Sequence, residues 1–427
     1  MIETQQIKIR NIFENFRILK GNSKISVMME PLWGIPYALY SFYLSLYMKS
    51  QGVTDKEIGY LIVISYIAGT FFSIFAGKIT DRLGRKKTTF IFDFISWPLA
   101  IIIYYFSSNF WMFALATVIN SVVRIVIVSW NLMIVEDSDN EQRAAAFNFI
   151  SIINISTGVL VPLAGIMVHF CGIVKAERFF LLFAAISMSL RIIVRNYLYT
   201  ETSVGQRILD DRKKNAKTKC IKPGLPIKTV KSLIKDKKVV MIACVFILFN
   251  VYIPIGTFNS LYFAPYMADV LMLNKSLISI LGGVYSAVLF IVFVLINPLI
   301  YRTNKLLVMI IGILIQIIAI GLLISIPTGG IIAVILCMLL LASGFGIMKP
   351  LVDAMLAEVT EGNDRARIYS VVNTVTCIAT ALIGVISSNL YVLNPKIIYL
   401  ISLALLSVCI GILHFMYIKR KNVLDNE

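Results

Sequence analysis

Two ionisable residues stand inside long apolar runs of this sequence and could together do chemistry. Glu30 precedes Pro31 in MEPLWGIPYALY, and Arg124 follows the stretch VINSVV. An acid and a guanidinium at similar depth in a low-dielectric medium keep each other charged. Protonating the acid releases the arginine, and a bound molecule or a change of shape can exploit that release. The sequence therefore predicts a Glu30–Arg124 coupling pair. A structural ion pair, or a glutamate snorkelling to the inner interface, is the plainer alternative. Arg191 and Arg195, one turn apart, read as cations snorkelling inward. Lys349 and Asp353 read as an i,i+4 pair, and Asp93 as a minor group that could join a polar network or face water.

Enzymatic constellations are missing from the chain. His169 and His414 are isolated, HExxH is absent, and no GxxxxGK[ST] loop is present to cradle a nucleotide. The cysteines, Cys171, Cys220, Cys244, Cys337, Cys377 and Cys409, form no CxxC and show no regular spacing. No enzyme, metal site, disulfide or cofactor is expected.

The elements that must position Glu30 and Arg124 follow from composition. The 427 residues are 58% hydrophobic and 15% charged, with mean hydropathy +0.84. A soluble fold could not hide that much apolar surface, so lipid is the solvent and helices are the element. Twelve apolar segments can be drawn, at 26–48, 57–77, 89–107, 109–134, 146–170, 178–198, 239–263, 276–299, 306–326, 330–351, 368–391 and 396–418. Each can cross about 30 Å of hydrocarbon at about 1.5 Å per residue. The net charge of +17 does not imply nucleic acid, because the cations sit in short clusters between apolar runs. Thirty of the forty Lys and Arg fall in the tails and loops on the side of the termini. That bias predicts both termini in the cytoplasm of a plasma-membrane protein whose basic loops face the anionic inner leaflet.

The expected organisation is a cytoplasmic segment 1–25, six helices over 26–198, a cytoplasmic central loop 199–238, six helices over 239–418 and a tail 419–427. IKIRNIFENFRILK reads as a helix lying on the leaflet or as a basic tail. Ile227, Val230, Leu233 and Ile234 of the central loop have helical apolar spacing, within what reads mainly as a linker anchored by charge. The halves echo each other. MIVEDSDNEQRAAAF (133–147) aligns with MLAEVTEGNDRARIY (355–369) at one offset of 222, superposing Glu136 on Glu358 and Arg143 on Arg365. The fold class expected is an all-α membrane protein of twelve helices in two pseudo-symmetric six-helix halves.

Between the second and third apolar segments lies GKITDRLGRKK (77–87). Gly84 suits a sharp turn, Gly77 a close helix approach, and the cations a cytoplasmic loop. None of these explains Asp81. Here the sequence resembles the major facilitator superfamily over residues 26–418, through Gly77, Asp81, Arg82, Gly84, Arg85 and Lys86. The resemblance implies a gate latch that clamps the halves when the cavity opens outward. It would place Asp81 near residues 366–370 and Arg85 near Glu136 or Asp137. The second copy, NPLIYRTNK, has Tyr301 in place of the acid, so the latch would be one-sided.

In that family the first and fourth helices line the central cavity. Uncharged polar and aromatic residues on such helices are the substrate candidates: Trp33, Tyr37, Tyr40 and Asn120 on one side, Asn250, Tyr252, Asn259 and Asn373 on the other. Tyr262 is equally placed to be an interface anchor. STGVLVPLAG (156–165) faintly resembles the antiporter signature through Gly158, Pro162 and Gly165. The expectation is a monomeric secondary transporter moving a small amphipathic solute by alternating access, coupled to protons and working in efflux. A uniporter or importer of a metabolite or sugar, a lipid flippase and a sensor are the alternatives.

Overall fold

The computed structural model describes residues 16–214, 237–258, 260–297, 304–359 and 365–424. Helices start where the sequence supplies a short polar cap. Thr54 accepts from the Glu57 amide while Glu57 Oε2 accepts from the Thr54 amide at 2.8 Å, a capping box that opens the second span. Asn109, Asp139, Asn274 and Asn304 cap later helices in the same manner.

In chain order the first half contains α1 (Gly21–Met29), α2 (Pro31–Ser50), α3 (Asp55–Leu83), α4 (Arg85–Phe106), α5 (Phe110–Val135), α6 (Glu141–Cys171) and α7 (Ile173–Leu198). After α8 (Ser203–Lys214) the second half contains α9 (Lys237–Gly256), the short α10 (Phe263–Asp269), α11 (Lys275–Ile296), α12 (Lys305–Ser325), α13 (Ile331–Val359), α14 (Arg365–Leu393) and α15 (Ile397–Leu424). Among the described residues ten helices are long and apolar enough to cross a membrane. Two more complete six in each half, and each falls short for a reason that bears on function. α2 carries four tyrosines and two prolines. α7 carries five ionisable residues. They pack against each other, joined by a 2.7 Å hydrogen bond from Ser187 Oγ to the Leu32 carbonyl.

Some expected limits shift. The seventh apolar segment, drawn to 263, stops being helical at Gly256, two residues beyond Pro254, and Thr257, Phe258 and Ser260 to Tyr262 are bends and turns before α10. The Leu19 end of IKIRNIFENFRILK does not lie outside the bundle: Leu19 is buried among Val27, Ile134, Ala146 and Ile150, and Phe16 packs edge-on to Phe149. Ile9, Phe13 and the 227–234 stretch lie outside the described residues. The central loop begins as a docked helix, α8, which a charge-anchored linker would not require.

With an even number of spans, the described ends of the chain, at α1 and at the close of α15, fall on one face of the bundle, the termini-bearing face, and the halves meet in two seams nearer the opposite face. In the first, α3 packs on α14: a Cβ at Gly59 would stand 2.0 Å from Ser388 Cβ, and one at Gly384 would meet Val63. In the second, α6 packs on α11: Gly165 faces Ser279, and Pro162 fits against Gly283. Small residues let backbones approach where no hydrophobic effect drives helix association. Tyr43 Oη donates to the Lys275 carbonyl at 2.6 Å across the same end. Lys49 of α2 binds Asp55 at 2.9 Å and also Asp269 of α10, tying the halves together by charge.

Candidate functional site

Glu30 has an arginine partner, but it is Arg191. Arg191 Nη2 lies 3.1 Å from Glu30 Oε2, and its Nη1 lies 3.4 Å from Asp93 Oδ2. Arg195 binds the same Asp93 oxygen. All four side chains are buried, and two carboxylates balance two guanidiniums. Arg124, the predicted partner, is elsewhere: its Nε would be 3.2 Å from a Cβ on Gly69 of α3, and Tyr66 is beside it. Segment counting placed Glu30 and Arg124 at similar depths but gave no azimuth, and α5 turns Arg124 toward α3 while Glu30 faces α7. The snorkelling expected of Arg191 and Arg195 is likewise replaced by inward pairing. The Lys349–Asp353 contact is present at 2.8 Å.

Behind Glu30 opens a cavity of about 430 Å³. Its wall comes from both halves. α2 contributes Trp33, Tyr37 and Tyr40, α5 contributes Asn120, and α6 contributes Asn154 and Thr157. The other half contributes Phe258 and Ser260 from the bend after α9, and Tyr285 and Ser286 from α11. On α6 and α11 these residues lie toward the termini-bearing face relative to Gly165 and Ser279, so the seam roofs the cavity. Asn154 links the two features, donating Nδ2 to Glu30 Oε1 at 3.3 Å.

Of the sequence candidates, Trp33, Tyr37, Tyr40 and Asn120 are on the wall. Asn250 and Tyr252 are not: Asn250 donates back to the Phe246 carbonyl at 2.8 Å, and Tyr252 is buried against Phe249 and Gly256. Asn373, half-buried on α14, does not line this cavity either. Asn259 lies outside the described residues, and Tyr262 is buried rather than at an interface, its ring 4.8 Å from that of Tyr391 and tilted 33° to it. Asn154, Phe258, Ser260 and Tyr285 were missed. The signal for Phe258 and Ser260 was the Pro254 break, which turns a segment read as membrane-spanning into a cavity-lining bend.

A second site lies in GKITDRLGRKK. Arg85 is buried, with Nη1 3.0 Å from Asp81 Oδ1 and with Nε and Nη2 both on Glu136, a fork-like contact. Glu201 accepts from the backbone amides of Arg85 and Lys86 at 2.9 and 3.1 Å, satisfying the exposed first turn of α4. Thr202 Oγ1 donates to Glu136, and Ser203 donates its amide to Asp137 at 3.2 Å. Arg82 is exposed. The side chains of 366–370, expected beside Asp81, lie outside the described residues.

The profile described as Major Facilitator Superfamily matches residues 33–264 and, a second time, 251–426. The chain belongs to the major facilitator superfamily. It is a multi-pass membrane transporter by family and not an enzyme. No curated protein matches the sequence significantly. Among solved structures, a POT family transporter in complex with a thioalcohol-conjugated peptide is similar at TM-score 0.71 and 15% identity, covering 96% of this chain and 99% of that one. The nucleoside transporter NupG is similar at TM-score 0.68 and 16% identity, over 93% and 99%. A bacterial homologue of the iron transporter ferroportin, in its inward-facing state, is similar at 0.68 and 14%, over 92% and 97%. At such identities the likeness is one of fold.

Within this superfamily member the motif glycines differ in kind. Gly84 has φ +86°, and a Cβ there would stand 2.6 Å from Glu201 Oε2. A Cβ at Gly77 would meet nothing within 4 Å, so the close approach expected of it is not made in this conformation. Gly84→Ala is expected to destabilise the protein by about 1–3 kcal/mol from backbone strain alone, because φ +86° with ψ 161° is a region nearly reserved for glycine, and Gly77→Ala, inside a helix with open space at its Cβ, to leave it unchanged or stabilise it by up to about 1 kcal/mol. Thermal unfolding of the two variants in one detergent checks the contrast. Equal losses would contradict it.

Proposed function

We propose that this chain exports a small amphipathic solute across the plasma membrane in exchange for protons, by alternating access of the central cavity. The observation that carries the reading is the cavity itself, aromatic and polar, walled by both halves and roofed by the Gly59 and Gly165 seams. With the termini in the cytoplasm, as the distribution of cations favours, the roof is external and the conformation is inward-facing. The Asp81–Arg85–Glu136 contacts are then one half of an inner latch, and Lys49 with Asp55 and Asp269 is its outer counterpart. Glu30 is the acid placed to register a proton. It sits one hydrogen bond behind the wall, and its protonation would leave Arg191 to Asp93 alone. The export direction rests on Gly158, Pro162 and Gly165, which lie along the seam.

Metabolite profiling of cells and medium tests the reading, comparing overproduced wild type with a Glu30→Gln variant, each with and without a protonophore. A solute depleted from cells and enriched in medium by wild type is the expected result. Loss of that accumulation on adding the protonophore, and its insensitivity in Glu30→Gln, would support proton exchange through Glu30. Movement inward marks an importer, movement indifferent to the protonophore a uniporter, and a change of leaflet composition alone a flippase.

The outer latch gives a second expectation. Half-exposed ion pairs contribute about 0–1 kcal/mol each, so Lys49→Gln should shift the balance toward outward opening only several-fold. In a Cys171→Ser background, a Ser279→Cys probe should react correspondingly faster with a membrane-impermeant maleimide added outside. An unchanged rate would remove Lys49 from the gate.

A further inference from the structure

The chemistry of the cavity wall narrows the solute. Besides tyrosine hydroxyls, the described residues on the wall include no ionisable side chain. Behind the wall, Glu30 and Asp93 are matched by Arg191 and Arg195, and Glu177 is buried beside Tyr40 and Tyr43 without lining the cavity. An ionic solute entering this cavity would lose water and gain no counter-charge from the wall itself, which is strongly unfavourable.

The polar groups that remain have a fixed sense. Asn120 donates Nδ2 to the Ser96 carbonyl at 2.8 Å, inside the π turn that Pro98 opens in α4. Asn154 donates Nδ2 to the Glu30 carboxylate. Both partners can only accept, so neither amide can be flipped, and each is left to offer its Oδ1 acceptor. Thr157 spends its proton on the Asn154 carbonyl at 2.9 Å and likewise retains lone pairs. Two buried atoms on the wall have no hydrogen-bond partner among the described residues: Ser260 Oγ and Trp33 Nε1. The wall thus offers the amide acceptors of Asn120 and Asn154, the Trp33 indole as a donor, and hydroxyls such as that of Ser260, which can donate or accept.

Flat surfaces complete it. Trp33 and Tyr37 stack at 4.7 Å and 12°, and Tyr37 remains 38% exposed. From the seam, Phe42, Phe258 and Tyr285 form a continuous stack, at 5.3 Å and 21° and then at 4.6 Å and 18°. Ring faces of this kind bind other ring faces and the C–H faces of saturated rings. The volume of about 430 Å³ lies within the range of about 300–1,000 Å³ usual for small-molecule sites.

From these features, and resting on the transport reading above, we infer that the cavity takes an uncharged ring compound with several hydroxyl or amine donors, of nucleoside or aryl-glycoside size. The Tyr37 ring supplies its platform, and Asn120 and Asn154 accept its protons. A lipophilic cation could use the rings but would find no acid on the wall, and an anion would find no cation there.

Tryptophan fluorescence of the purified protein in lipid nanodiscs tests this, since Trp33 is on the wall. The probes are adenosine and phenyl glucoside, their charged counterparts adenosine monophosphate and phenyl glucuronide, and tetraphenylphosphonium. The expected result is saturable quenching by at least one neutral probe, at least tenfold weaker for its charged counterpart and for the phosphonium. Tyr37→Ala should weaken that binding at least tenfold, and Tyr37→Phe, which retains the ring face, should restore it. Because Tyr37 is partly exposed, a monodisperse elution profile shows whether Tyr37→Ala is folded. Equal or tighter binding of a charged probe, or no quenching by either neutral probe, overturns the inference. Counterflow in proteoliposomes separates it from the transport reading. A neutral probe bound and not moved leaves the site standing and refutes transport, whereas a charged probe moved does the reverse.

Discussion

Gly59→Val is expected to lower transport at least a hundredfold while leaving the protein folded, with the roof of the cavity unable to close. A Cβ at Gly59 would stand 2.0 Å from Ser388 Cβ, 2.8 Å from the Ser388 Cα and 2.4 Å from Tyr262 Oη. The Cα cannot give way as a side-chain tip could, so the clash must be relieved by moving α14 from α3. Overpacking of this kind costs about 1–3 kcal/mol, or more where backbone is involved. The cost falls only on the conformation in which the seam is closed, so the other conformation gains population by that factor. About 2.7 kcal/mol is a hundredfold. Gly165→Val, where a Cβ would lie 1.6 Å from Ser279 Oγ, should behave alike at the second seam. Gly77→Val, on the same helix as Gly59 and facing open space, is the control. Transport assays at matched membrane abundance check the set. Wild-type turnover in Gly59→Val would mean that the seam does not open and close during transport.

The largest effect on stability is expected at Asp93. Its one carboxylate faces Arg191 and Arg195, and only Arg191 has a second acid, Glu30. Asp93→Ala leaves Arg195 buried without a direct ion-pair partner, with only the more distant Glu30 acting on it, and breaking a buried pair in this way costs about 3–5 kcal/mol. The expected outcome is loss of monodisperse protein, or a fall in thermal midpoint far larger than for any surface change. Replacing both partners, Asp93→Leu with Arg195→Leu, should recover most of the loss, because the pair is removed rather than divided. If the double variant is as unstable as the single one, the cluster is not held together by its charges.

Much of this architecture could be read from the chain. Apolar length yields the helices because the bilayer admits few alternatives. The cap at Thr54 and the turn at Gly84 are local properties, so local sequence reports them. The Arg85–Glu136 contact was legible too, because the motif around it resembles a family pattern. What could not be read was rotation about the helix axis. Glu30 and Arg124 have similar depths in the sequence but turn to different neighbours, and Arg191 and Arg195, whose place near a helix end suits snorkelling, turn inward to Asp93. The second half of the cavity was misassigned for a related reason. Asn250 and Tyr252 have the composition of a cavity lining, but the Pro254 bend directs Phe258 and Ser260 to the site instead. Glu177 marks the same limit. It sits at the edge of its apolar segment, yet it is fully buried beside Tyr40 and Tyr43, and both its oxygens are without a hydrogen-bond partner among the described residues.

The most direct test of alternating access is a pair of spin-label distances in nanodiscs, in a background with the native cysteines replaced. One pair, Trp111→Cys with Met272→Cys, spans the halves at the roofed face, where both residues are exposed. The other, Lys78→Cys with Lys419→Cys, spans them at the termini-bearing face, where both are also exposed. Relative to the same labels on wild type, Gly59→Val should lengthen the first distance and shorten the second. Lengthening at the roof with no shortening at the termini-bearing face would contradict a cavity that opens to one side at a time.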